Sequence, residues 1–180
     1  MFIKRFEPGL RYDIKLFKEN KMKKILYTIL ILCAGINTLI CQPVQLKNFK
    51  ETLNSLKNGN SVRVVVYYKK CKLITGGKEE QPPDAVGGME LKSFEYFAKG
   101  SVNNEKSYIA SSEIVLISHP RYGMVYNYIK FRFFEDNTVE ITARYIDPKT
   151  YEVKMDESFY SYIDDMNNDA AVMLYTYRQG

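Results

Sequence analysis

The sequence predicts a mostly β domain of the α+β class. We expect an antiparallel, strongly curved meander sheet or open barrel of about seven strands with one N-terminal covering helix. Two observations carry this prediction. From Ser61 onward apolar and polar residues alternate with a period of two, in runs separated by short turns. No strand–helix–strand rhythm is present, which favours antiparallel pairing of neighbouring strands.

The helix is predicted in the segment that precedes the first strand. Gly59 follows the segment as a C-terminal stop signal. A helix this short is marginal alone, so its apolar side must dock on the sheet. The residues that repeat at helical spacing are Leu46, Phe49, Leu53 and Leu56.

The strands follow in order along the chain. The first covers residues 61–71, where alternating valines share one face. Residues 73–88 are predicted as a long polar loop, because Gly76-Gly77 and Pro82-Pro83 break regular structure. Further strands are predicted at residues 89–97, 108–118, 124–134, 139–145, 151–156 and 171–178.

Residues 22–41 have the features of a signal peptide. Two lysines precede a short apolar run at residues 25–34, and small or polar residues lead to a cleavage site near Cys41. The apolar run is short for a membrane span, which needs roughly 20 residues. We therefore predict a secreted protein, extracellular or periplasmic, with no stable membrane span after removal of the leader.

The charge of the chain is unevenly divided. The sequence has 26 Lys and Arg against 21 Asp and Glu, a formal net charge of +5, and the whole excess lies in residues 1–41. We interpret residues 1–21 as an upstream extension and residues 42–180 as a single domain. Because that domain is electrically balanced, its composition gives no support for binding nucleic acid.

Residues suited to catalysis or metal binding are sparse. His119 is the single histidine and lies in a turn, whereas a zinc site needs three or four ligands. We therefore predict no metal, no cofactor and no enzymatic activity. A secreted hydrolase with an unrecognised carboxylate pair is a lesser alternative, with candidates such as Glu95, Glu113 and Glu140.

Cys71 is the single cysteine of the predicted domain, because Cys33 and Cys41 lie in the leader. It cannot form a disulfide within the domain. Two interpretations stay open: a buried apolar residue, or a reactive thiol that bridges to another molecule.

Aromatic residues are the unusual feature of the composition. The chain has 15 Tyr and 10 Phe but no Trp. Tyrosine joins an apolar ring to a polar tip and suits binding surfaces, although it also suits strands in general. Aromatic and basic residues of one hairpin are the candidate binding residues, namely Arg121, Tyr122, Tyr126, Tyr128 and Arg132.

The order of these features resembles the VirK family of small exported proteins. The resemblance covers about residues 49–160. It depends on the segment Phe49-Lys50-Glu51-Thr52-Leu53 continuing to Gly59, the apolar strand after Ser61, Cys71, and the Gly87-Gly88 pair before the next strand. It implies export, a single domain and a role at a host or environmental interface. It implies no known reaction, cofactor or catalytic residue.

These observations predict an exported, non-enzymatic protein that binds a partner or ligand outside the cytoplasm. The partner would be an extracellular protein, a glycan or a small apolar ligand. An alternative is a carrier that holds a small apolar ligand in a β-barrel-like cavity. This alternative is based on strands that have apolar residues on both faces, such as residues 126–134.

Overall fold

The computed structural model describes residues 42–177. The predicted signal peptide and upstream extension lie outside the described residues. One α-helix, α1, spans Phe49–Lys57, and a 3-10 turn covers Tyr68–Lys70. The strands are β1 (Pro43–Leu46), β2 (Val62–Tyr67), β3 (Lys72–Thr75), β4 (Lys78–Glu80), β5 (Val86–Glu90), β6 (Glu95–Phe97), β7 (Tyr108–His119), β8 (Gly123–Phe134), β9 (Thr138–Ile146), β10 (Val153–Tyr162) and β11 (Val172–Tyr177).

The strands form two antiparallel sheets. The small sheet has four strands in the order β1-β11-β2-β5, and the large sheet has seven in the order β4-β3-β10-β9-β8-β7-β6. The prediction of a mostly β, antiparallel fold with one helix is confirmed. Neither sheet closes into a barrel. The strand count is higher than the expected seven or so, because the short strands β1, β3 and β4 carry little apolar alternation and because one predicted strand is two strands in the structure.

The prediction of a polar loop at residues 73–88 is wrong. Strands β3 and β4 pair as a hairpin, and β5 joins the small sheet beside β2. The hairpin turns at Gly76 and Gly77, whose φ angles of 56° and 80° suit a tight turn. β4 is charged and exposed, as edge strands often are, so its composition gave a loop-like signal.

The strand predicted at residues 89–97 is two strands in different sheets. β5 ends at Glu90 in the small sheet, and β6 begins at Glu95 in the large sheet. Between them Leu91 is buried. Ser111 Oγ donates a hydrogen bond of 2.7 Å to the Ser93 carbonyl oxygen. The connection therefore carries the chain from one sheet to the other.

One hydrophobic core joins both sheets and the helix. Its fully buried side chains come from β2 and β11 in the small sheet and from β7, β8 and β9 in the large one. Leu56 of α1 packs into the same cluster. The largest of the fully buried side chains are Phe131, Phe133, Ile109, Ile141, Ile163 and Leu174.

Side-chain hydrogen bonds fix the position of α1. Asn48 is its N-cap, and the Asn48 side chain accepts a hydrogen bond of 2.9 Å from the Glu51 amide. The Phe49 amide donates to Asn137 Oδ1 at 2.8 Å, which joins the helix to the turn between β8 and β9. Ser55 Oγ donates to Thr176 Oγ1 of β11 at 3.0 Å. The short helix is therefore held at its start and near its end.

Within residues 42–177 the structure has no helix with the length and apolar character needed to cross a membrane.

Candidate functional site

The large sheet has one face toward the core and one face toward solvent. Along β8, Phe131 and Phe133 are buried, whereas Lys130 and Arg132 between them are only half-buried. Strand β9 alternates in the same way. This follows from the two-residue period of a strand. We call the solvent-facing side of β8, β9 and β10 the outer face.

Strand register aligns the polar side chains of the outer face in three rows. Residues directly opposite each other on neighbouring strands lie about 5 Å apart and interact. From β8 through β9 to β10, the rows are Tyr128–Arg144–Asp156, Lys130–Thr142–Ser158 and Arg132–Glu140–Tyr160.

These rows form an open groove of about 550 Å³. The β3–β4 hairpin contributes Ile74 and the Gly76-Gly77 turn to its lining. The groove therefore spans four neighbouring strands of the large sheet and is walled on one side by a turn. Its remaining lining residues are Tyr128, Lys130, Arg132, Glu140, Thr142, Arg144, Asp156 and Ser158.

Two ion pairs flank the middle of the groove. Arg132 and Glu140 lie 3.2 Å apart. Arg144 Nε donates to Asp156 Oδ1 at 2.9 Å, and this hydrogen bond raises the pKa of Arg144. Both pairs are partly exposed and contribute little to stability. Their effect is to hold planar polar groups in fixed positions on the sheet.

Lys130 lies in the row between the two ion pairs. Its neighbours across the strands are Ser112 and Thr142. In the described part of the chain it has no carboxylate within salt-bridge distance. Since the other two cations are paired, the groove has one excess positive charge at the β8 end of its middle row. Thr142 lies opposite Lys130 on β9, and Ser158 lies one strand further on β10.

The structure separates the candidate binding residues into two groups. Tyr126, Tyr128 and Arg132 share the outer face of β8, and the last two line the groove. Tyr122 lies in the turn before β8, with its ring 6.0 Å from that of Tyr145. Arg121 lies over the Tyr122 ring at 5.4 Å. The five residues therefore do not form one surface.

His119 organises the turn between β7 and β8. Its Nδ1 accepts hydrogen bonds from the amides of Arg121 at 3.2 Å and Tyr122 at 3.3 Å. Its ring stacks on Tyr122, with the ring centres 4.9 Å apart. The histidine therefore shapes the backbone of the turn.

The candidate carboxylates lie apart from one another. Glu113 is opposite Ile129 on the core-facing side of the sheet, whereas Glu140 is on the outer face and bound by Arg132. Glu95 is on β6, three strands from β9, a separation of about 14 Å at the usual strand spacing. Among residues 42–177 there is also no group of three or more side chains placed to hold a metal ion.

Cys71 is a buried thiol with 6% of its surface exposed. Its Sγ lies 3.9 Å from the Tyr67 carbonyl oxygen. Burial raises the pKa of this thiol to about 11, so it is protonated at neutral pH. A protonated thiol is a poor nucleophile, and the position of Cys71 matches the buried apolar interpretation.

Several groove residues were not among the candidates. Arg144 and Asp156 lie on strands outside the candidate hairpin, whereas Lys130 shares a strand face with the candidates Tyr128 and Arg132 and is missing from the candidate set. The signal in the sequence is a set of polar residues at alternate positions in successive strands. To use it, one must know which residues face each other across the strands.

Comparisons with known proteins agree with this fold. The model of the family described as VirK protein matches residues 45–151. The crystal structure of lpg1832, a VirK family protein from Legionella pneumophila, is similar with a TM-score of 0.56 and 13% sequence identity. The likeness covers 73% of this chain and 98% of that one. No curated protein matches the sequence. Because the family model matches more than half of the chain, this protein belongs to the VirK family.

Proposed function

We propose that this protein is exported and that it binds a partner or ligand outside the cytoplasm through the outer-face groove, without catalysing a reaction. The observation that carries the proposal is Lys130, a cation with no salt-bridge partner among the described residues, at the β8 end of the middle row of the groove. It lies between two ion pairs that keep their polar groups in place. A charge in this position is available to a ligand.

The lining of the groove favours an acidic glycan as the ligand. Lys130 supplies the charge for a carboxylate, and the hydroxyl groups of Thr142 opposite it and of Ser158 one strand further continue the row. The ion-paired side chains of Arg132 and Asp156 present further donors and acceptors for sugar hydroxyls. The Tyr128 ring adds an apolar surface with a polar tip. An open groove across several strands suits an extended chain of sugars.

Export is supported by the sequence of residues 22–41. A basic segment, a short apolar run and small or polar residues follow one another there as in a signal peptide. Membership of the VirK family agrees with this expectation, because the resemblance implies export.

The carrier alternative finds less support in the geometry. The space between the sheets is filled by the hydrophobic core, and the sheets do not close into a barrel. The cleft near Gly87 and Phe131, at about 230 Å³, is smaller than the groove. Ligand pockets usually measure about 300 Å³ or more. The outer face is therefore the stronger candidate.

The test measures binding of uronic-acid hexasaccharides by calorimetry and by NMR, with neutral hexasaccharides for comparison. We expect the acidic sugars to bind and to shift the amide signals of Lys130, Thr142 and Ser158. K130E should weaken binding at least about tenfold, because it replaces attraction by repulsion at the β8 side of the groove. The matched control is K50E on the exposed side of α1, which should bind as the parent does.

Equal affinity of K130E and the parent would overturn the groove as the binding site. Failure of every acidic hexasaccharide to bind would overturn the acidic-glycan assignment. The protein for this experiment is recovered from the medium or periplasm of expressing cells, where its intact mass should correspond to cleavage near Cys41. A full-length chain retained in the cytoplasm would overturn the proposal of export.

A further inference from the structure

Strand β7 has a long unpaired edge. β8 pairs with it over its whole length, but β6 pairs with it only at residues 108–110. Within the described chain, the segment 111–119 therefore has no strand partner on its second side. The backbone N–H and C=O groups of such an edge are a template for another strand.

The other sheet edges are protected in ways that β7 is not. β4 has three residues, all charged. β1 has four residues, and β5 contains two adjacent glycines. β7 instead has 12 residues. At its centre Ile114, Val115 and Leu116 are 54%, 47% and 50% exposed. Exposed apolar side chains on a free edge indicate an interaction surface.

The exposed segment of β7 is self-complementary. Val115 is its centre, and the outer-face residues on either side of it mirror each other: Ser112, Ile114, Leu116 and Ser118. An antiparallel pair of two identical strands needs such a symmetry, because each residue meets its mirror position in the other copy.

We propose that a second copy of this chain occupies the edge, with the two β7 strands antiparallel about a two-fold axis at Val115. Ile114 of each copy then lies opposite Leu116 of the other, and the serines lie opposite each other at both ends. The exposed apolar side chains cover one another. The two seven-stranded sheets become one continuous sheet.

Charge complementarity favours the same register. The arrangement brings the turn between β7 and β8 of one copy to the start of β6 in the other. Arg121 of that turn and Glu95 at the start of β6 are both exposed, so opposite charges meet at each end of the pair. Glu113, which lies opposite Ile117 in this register, keeps Lys92 as its neighbour at 3.8 Å.

The test is the oligomeric state of two double variants, measured by sedimentation velocity at about 500 μM protein. The parent should sediment as a dimer. I114K/L116K should be monomeric, because it sets lysine opposite lysine at both contacts. I114K/L116E should dimerise again at low salt, because each lysine now lies opposite a glutamate. Both positions are exposed, so circular dichroism should show a folded domain in each case.

Cross-linking supplies a second readout. V115C places a thiol on the proposed axis and should form a disulfide-linked dimer under mild oxidation, whereas V102C, at another exposed apolar position, should not. A monomeric parent, identical behaviour of the two double variants, or equal cross-linking of V115C and V102C would overturn the proposal. Binding of an extended peptide by a parent that stays monomeric would also overturn it.

Discussion

At the scale of single residues, Asp136 fixes the turn between β8 and β9. Its Oδ2 accepts a hydrogen bond from Lys106 Nζ at 2.6 Å. Its Oδ1 accepts from Thr138 Oγ1 at 2.6 Å and from the Thr138 amide at 3.2 Å. The hydrogen bond from Lys106, followed by that from Thr138, lowers the pKa of this carboxyl from 3.8 to about 2.

This shift predicts an acid-sensitive contribution to stability. The pKa of Asp136 is lower in the folded state than in the unfolded state. Its contribution to the free energy of unfolding is therefore complete above pH 3.8 and is lost as the pH falls through about 2. The Asp136 side chain is 40% exposed, so solvent screening limits the cost of D136N to about 1 kcal/mol. Urea unfolding at several pH values measures the difference between D136N and the parent.

The difference in free energy of unfolding between the parent and D136N should be largest near pH 6 and should shrink toward pH 2. D84N is the matched control, since Asp84 has a lysine partner but a more exposed side chain. It should change stability by less than about 0.5 kcal/mol. A D136N effect that stays constant from pH 6 to pH 2 would contradict the assignment.

The sequence indicated part of the groove. Tyr128 and Arg132 were predicted because aromatic and basic residues cluster on one strand. Their positions differ by an even number, so they lie on the same face of that strand. Arg144 and Asp156 lie opposite each other across two strands, a relation that depends on strand register. The turn of a hairpin sets its register, but a bulge between Val153 and Met155 shifts the register of β10 against β9. The turn alone therefore does not predict this pairing.

At the scale of elements, β5 shows how a close backbone approach selects glycine. Gly88 lies opposite Val65 of β2. A Cβ atom at Gly88 would lie 2.6 Å from the Val64 carbonyl oxygen, which is much closer than atoms in contact normally come. The neighbour is backbone within a paired strand, so it has little freedom to move.

We therefore expect G88A to destabilise the domain by about 1–3 kcal/mol, the range for overpacking. The free energy of unfolding in urea measures this. V86A on the same strand is the matched control, because Val86 is largely exposed and its loss should change stability by less than about 0.5 kcal/mol. If G88A were as stable as V86A, the close approach of the Val64 carbonyl oxygen would not exclude a side chain at position 88.

Short strands were harder to predict than long ones. β8 and β9 have many alternating residues, so their period is clear. β4 is charged at all three positions, and it becomes a strand because β3 supplies a partner across the Gly76-Gly77 turn. The pairing, rather than the intrinsic preference of its residues, determines this element.

At the scale of the whole molecule, the two sheets share one core. Leu174 of the small sheet and Phe133 of the large sheet are both fully buried in the same cluster. The packing of each sheet therefore depends on the other. The division of the strands between two sheets was not predicted, because it depends on long-range pairs such as Pro43 with Tyr177.

A shared core predicts a single unfolding transition. L174A should cost about 2–5 kcal/mol and F133A about 3–5 kcal/mol. In both variants, circular dichroism and tyrosine fluorescence should follow the same urea curve. The exposed substitution Y151A is the control and should leave the midpoint nearly unchanged. Separate unfolding transitions for the two probes in L174A would show that the large sheet stays folded after the small sheet has unfolded.

The position of β11 in the small sheet has a consequence for the order of folding. β11 is the latest strand of the described chain, yet it lies between β1 and β2, which precede nearly all the others. A nascent chain emerging from a ribosome therefore leaves β1 without its partner until residue 177 has emerged. Vectorial synthesis cannot complete this domain stepwise, and a long interval remains in which chaperones meet an unfinished chain.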